Sequence, residues 1–164
     1  MKRLLLVMVM AACSSDTDLG GVYMVTTDVS SSPCGADTAV TMPPVYVHFV
    51  QSDFFGSKIW TFENCTDAAA MTCDSNGGVF GGFSVPVDNG WKGEESSDSF
   101  SGTSCFLGYS LRTAILTGKR MVIDSSDYSD TPALDQAHCT TDEAEKRGAM
   151  MPCMMHERIE ATKL

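Results

Sequence analysis

Beyond residue 20 the chain is cut into short runs in which apolar and polar side chains alternate. A period of two commits a segment to a β-strand with one face buried. Residues 44–51 set Val45, Val47 and Phe49 against Tyr46, His48 and Val50. Residues 57–63 set Ile59, Thr61 and Glu63 against Lys58, Trp60 and Phe62. Residues 105–116 set Phe106, Gly108, Ser110, Arg112 and Ala114 against Leu107, Tyr109, Leu111, Thr113 and Ile115. Thr117-Gly118 then reads as a tight turn, and Met121 and Ile123 continue on a second strand, which makes a β-hairpin. Residues 21–28 are rich in strand formers. Residues 79–87 form another run, loosened by Gly81 and Gly82. Residues 88–103 are polar around Trp91 and Phe100 and fit a long loop, or a strand with a wide connection. Residues 154–164 fit a last strand, with an alternation poor enough to leave helix open.

One segment breaks the β pattern. Thr140-Thr141-Asp142-Glu143 fits a capping box, with acids early, Lys146 and Arg147 late and Gly148 just past the end. That order predicts a short helix over 141–148. The fold class is therefore mainly β: an antiparallel barrel, or a sandwich, of about seven to nine strands with one short helix near the C-terminus. A single β-rich domain spans 21–164. The triplet Gly21-Val22-Tyr23 at the first strand, a meander, a late helix and a final strand are together similar to lipocalins, with Tyr23 where that family carries Trp. The resemblance implies a lipocalin-like barrel for a small apolar ligand, with Tyr23, Tyr46, Trp60, Phe62 and Tyr109 as lining residues.

The N-terminus reads as an address. Lys2 and Arg3 precede a short apolar run, residues 4–10, then Ala11-Ala12 and Cys13. This is the layout of a signal peptide, and the run is far below the ~20 residues that span a bilayer. Met10-Ala11-Ala12-Cys13 resembles the lipobox of bacterial lipoproteins, with Met10 in place of the usual Leu. The resemblance implies a diacylglycerol on the Cys13 thiol, cleavage after Ala12 and acylation of the new amine. Ser14, not Asp, implies the outer membrane of a Gram-negative cell. Residues 1–12 are then signal peptide, and 13–20 the lipidated cysteine and a flexible tether. Asp16 and Asp18 sit in a fragment of a calcium loop that lacks its later ligands, so tether is preferred.

Removing residues 1–12 leaves nine Lys and Arg against 21 Asp and Glu, a net charge of −12. Such a surface repels phosphate backbones, which excludes nucleic acid as a partner and leaves membrane attachment to the lipid anchor. With Cys13 acylated, six cysteines remain: Cys34, Cys65, Cys73, Cys105, Cys139 and Cys153. An even set in an oxidising compartment implies three disulfides. Cys139 and Cys153 bracket the helix and are the favoured pair, Cys65 with Cys73 the second, and Cys34 with Cys105 the remainder.

No stretch has the pattern of a catalytic motif, and no cofactor is implied. There is no Gly-x-Ser-x-Gly, and His48 sits in an apolar strand as a wall histidine. The glycines of 77–82 lack phosphate-loop spacing and fit a turn and bulge. Asp124, Asp127 and Asp130 fit a solvated loop better than a calcium site. Residues 150–156 are rich in Met, Cys and His, soft ligands suited to copper, with Met154, Met155 and His156 as the weak candidates and His138 nearby. A zinc site on Cys139, Cys153 and His156 fits no common module. The expected role is binding or interaction at the envelope, of a small apolar ligand or an envelope protein. The alternatives are a structural module with a filled core and a periplasmic copper-binding protein.

Overall fold

The computed structural model describes residues 17–42, 44–74 and 82–164. Cys13, the signal peptide and most of the glycine-rich 77–82 stretch lie outside them. The chain forms β1 (Gly21–Ser31), β2 (Thr38–Ala39), β3 (Tyr46–Phe54), β4 (Ser57–Cys65), β5 (Cys73–Asp74), β6 (Val85–Val87), β7 (Gly90–Ser101), β8 (Ser104–Thr117), β9 (Arg120–Asp130), α1 (Thr141–Arg147) and β10 (Cys153–Lys163). The mainly-β expectation holds. One curled antiparallel sheet carries the order β5-β4-β3-β1-β10-β9-β8-β7-β6, with β2 beside β1.

The long strands follow an up-and-down path that brings the last, β10, against the first, β1. Among the described residues, the flanks of the curled sheet meet at one point. Trp60 on β4 and Phe83 exchange both backbone hydrogen bonds, at 2.9 and 2.7 Å. The next residue, Ser84, donates to the Lys92 carbonyl on β7. Glycine permits this approach: a Cβ on Gly93 would lie 2.2 Å from the Gly82 carbonyl oxygen.

Two cores lie on opposite faces of the sheet. The concave core holds Tyr23, Val47, Phe49, Trp60, Phe83, Trp91, Met121, Ile123 and Ile159. The second is built on the convex side, where α1 and its flanks cover Cys105, Leu107, Tyr109 and Met151. β8 serves both. Leu107 and Tyr109 are buried under the helix, whereas Ala114, of opposite phase, is buried in the concave core.

Several expectations are corrected. The hairpin turn is Gly118-Lys119, because Thr117 pairs with Arg120 and Gly118 takes φ 62°. Residues 88–103 contain the strand β7, and 124–130 continue β9 rather than forming a loop. The helix begins as expected: the Glu143 N–H donates to Thr140 Oγ1 at 3.3 Å. The Glu143 carboxylate, however, accepts from Arg147 Nε at 2.9 Å, so the box is half made. Residues 17–20 are packed, not a free tether: Leu19 is fully buried and its carbonyl accepts from the Tyr23 hydroxyl.

Three disulfides form, pairing Cys65–Cys73, Cys105–Cys139 and Cys34–Cys153. Only the first is the expected pair, with its two cysteines in register on β4 and β5. Cys139 does not reach Cys153 because α1 lies across β7 and β8, which sets Cys139 over the start of β8 at Cys105. Cys153 has by then entered β10, beside the end of β1 and the loop that carries Cys34.

Candidate functional site

The concave face changes character along the strands. Val25, Ala161, Met121 and Leu116 form one cross-strand row. Asp28, Ile159, Ile123, Ala114 and Trp91 form the next, all of them buried. Then comes a polar row: Ser30, Glu157, Ser125, Arg112 and Gly93. Beyond it stand Asp127, Ser110 and Glu95. Neighbours in a row share a face by the register of an antiparallel ladder, so apolar and polar halves divide one surface.

Asp28 stands at the boundary. It is 6% exposed, and its Oδ1 has no hydrogen-bond partner. Burial of a carboxylate without a partner disfavours its charged form, and the Asp28 pKa is raised accordingly. Glu157 is pushed up as well, first by burial and then by the charges of Asp28 and Asp127, with Arg112 and His156 opposing. Asp127 accepts from the Ser110 hydroxyl at 2.6 Å. Three carboxylates thus share a half-buried surface, with Arg112 in the same cross-strand row as Glu157.

These carboxylates do not converge as ligands of a bare metal ion do. Among the described residues, the one group of His, Cys, Asp and Glu ligand atoms within 4.8 Å of one another is His48, Cys65 and Cys73. There the two sulfurs are bonded to each other, so no thiolate is available.

The residues singled out in the sequence are scattered. Tyr23, Trp60 and Phe62 line the concave core, but they fill it: Phe49 packs against Tyr23, Phe62 and Phe83 at ring separations of 5.7, 5.8 and 5.9 Å. Tyr46 alternates to the other face beside Cys65, and Tyr109 lies in the convex core. The soft-ligand set at 150–156 is not assembled. Cys153 is bonded to Cys34, and Met154 and Met155 are 47% and 42% exposed. Both His156 ring nitrogens face carboxylates, Asp37 Oδ1 at 2.9 Å and Asp124 Oδ1 at 3.3 Å. The hydrogen bond to Asp37 chiefly raises the His156 pKa. Cys139 and Cys153 belong to different disulfides, which removes the zinc set. Asp124 and Asp127 point to opposite faces of β9. Asp130 pairs with Arg147 on the helix at 2.8 Å.

A second, convex cleft of about 420 Å³ lies between α1 and β7, lined by Glu94, Ser96, Tyr109, Thr141 and Glu145. The Tyr109 hydroxyl donates to Glu94 at 2.7 Å. Burial, and then this bond, push the tyrosine pKa up to about 12. The polar half of the concave face was visible in the sequence as a change of composition in phase: Ala114, Arg112 and Ser110 alternate together, as do Ile123, Ser125 and Asp127.

Compared with protein-family models, curated proteins and solved structures, the chain matches none significantly.

Proposed function

We propose that this chain is a lipoprotein of the Gram-negative outer membrane, held by an acylated Cys13, which binds a small organic cation on the polar half of its concave face. The observation that carries the binding reading is Asp28: a buried carboxylate whose Oδ1 has no hydrogen-bond partner, close to Glu157, which Asp127 also repels. An ammonium or guanidinium group would supply the missing donor and relieve the repulsion. The anchor reading is supported by the order of cations, apolar run, small pair and cysteine in residues 1–13. Three disulfides suit an oxidising compartment. No described helix is long and apolar enough to cross a membrane.

An apolar ligand has less support, because aromatic side chains already occupy the apolar half. The same filling favours a second reading, a structural or protein-interaction module. Thermal unfolding of the full chain with spermidine, arginine or choline, and with calcium as the metal control, separates the two. An organic cation should raise the Tm of the wild type and do so less in Asp28→Asn and Glu157→Gln. Absence of any shift, or equal shifts in all three proteins, overturns the binding reading and leaves the module.

A further inference from the structure

The hairpin joining β3 to β4 is built against the ordinary rules. Its turn is Phe55-Gly56, with both residues at positive φ, 50° and 84°. A two-residue turn of this kind favours Asn-Gly or Asp-Gly, and an L-residue with a bulky side chain is strained there. Phe55 is nevertheless 95% exposed, and the half-exposed Phe54 stacks edge-on against it at 4.6 Å. Neither ring contributes to a core. A position that is strained and also presents an aromatic pair to water answers to something other than folding.

Its place in the molecule says what. Thr17 and Asp18 line a small cleft with Gln51 and Lys58, the two flanks of that hairpin, and with Trp60 and Trp91. The Trp91 indole N–H donates to the Thr17 carbonyl at 2.6 Å. The first described residue is thus fixed at the same end of the sheet as the aromatic tip. Cys13 lies four positions earlier, at most about 14 Å of extended chain. The same end carries Lys119 in the β8–β9 turn and Lys163, whose N–H donates to the Lys119 carbonyl. Asp18, Asp53 and Asp88 lie at that end as well, and the Lys163 ammonium stands over the Tyr23 ring at 5.6 Å. A lipid surface, with hydrocarbon beneath its headgroups, matches the two exposed rings, and the short reach to Cys13 puts them beside the anchor.

We propose that Phe54 and Phe55 insert into the bilayer interface beside the lipid anchor, as a second contact that fixes how the domain stands on the membrane. This rests on the reading of Cys13 as the acylated residue. The sheet end bearing Gly102-Thr103 then points away, since β7 runs its 12 residues from Gly90 to that turn.

The test places tryptophan at either end. Phe55→Trp and Thr103→Trp are made in the full chain, extracted from the envelope of a Gram-negative host and reconstituted into phosphatidylcholine vesicles with brominated acyl chains. A parallel pair carries six histidines in place of residues 1–13, on vesicles containing nickel-chelating lipid, so the same end is held at the bilayer whether or not the native chain is acylated. After subtraction of the emission of Trp60 and Trp91 measured in the unsubstituted chain, the tryptophan at 55 should be quenched roughly twofold or more over the one at 103, with blue-shifted emission, in both formats. Equal quenching on the nickel-chelating vesicles overturns the insertion. Preferential quenching there, with a native N-terminus that mass spectrometry finds unacylated, supports the insertion and defeats the anchor reading instead.

Discussion

Phe55 and the glycines show what single positions ask of this fold. Phe55→Asn relieves strain at φ 50° and removes an exposed ring. It should raise stability by about 1 kcal/mol in urea unfolding, while removing half of the proposed membrane contact. Gly93→Ala should do the reverse. Its Cβ would meet the Gly82 backbone at 2.2 Å, and backbone cannot move aside as a side-chain tip does. A loss of about 2 kcal/mol or more is expected, with the Trp60–Phe83 bridge opening first and exposing the indole of Trp60. An unchanged fluorescence maximum in Gly93→Ala would contradict this view of the closure. The strain at Phe55 was not legible in the sequence, since Phe-Gly between two strands does not announce a positive φ. The need for Gly82 was legible only as a loosened strand.

At the scale of elements, richness in strand formers located β1, alternation located β3, β4, β8 and β9, and the capping residues located α1. Alternation does not say which face is covered. On β8 both are, at different places: outward residues near Leu107 and inward residues near Ala114. β7 was ambiguous because Glu94, Glu95, Ser97, Asp98 and Ser99 lie largely on exposed surface, so it has little apolar signal. Disulfide pairing depends on where α1 is laid down, and sequence spacing carries no information about that. The Cys105–Cys139 bond closes a separation of 34 residues and fixes the helix to the sheet. Cys105→Ser with Cys139→Ser should cost about 2–4 kcal/mol. Hydrogen exchange should rise in residues 140–150 before it rises in β8. Uniform acceleration across both would mean that the bond stabilises the whole sheet and not the helix's attachment.

For the whole molecule, acidity is the informative variable. Asp28, Glu157 and His156 all have raised folded pKa values. Groups of this kind favour the fold in their protonated form. The His156 contribution is complete below about pH 6.5 and is lost as pH rises through its folded value. Those of Asp28 and Glu157 are complete below about pH 4 and are lost over the interval above it. Asp37, Asp135 and Glu160 are lowered by their hydrogen bonds to His156, to His138 and to Arg120 and Arg158. They act oppositely: their contribution is present above about pH 4 and lost as pH falls through their lowered values. Tm should therefore rise from about pH 8 to about pH 5 and fall in stronger acid. Asp28→Asn should be more stable than wild type near neutrality and show a flatter rise. A Tm that falls steadily from pH 8 to pH 5 would contradict the raised pKa values of Asp28 and Glu157.

The same layer shows how far a functional site can be read from sequence. The β class and the polar residues in phase with apolar ones were legible on single strands. Their meeting across β1, β10, β9 and β8 was not, because register between strands far apart in sequence is set by the curl of the sheet. The proposed anchor matters most, since acylation of Cys13 would set the compartment, the redox state and the end that faces the membrane. It is tested most directly by the mass of the N-terminal peptide of the full chain, extracted in detergent from a Gram-negative envelope and digested. The expected peptide begins at Cys13 and carries a thioether-linked diacylglycerol and an amide-linked acyl chain. A peptide that retains Met1, or a Cys13 with a free thiol and no lipid, would contradict it.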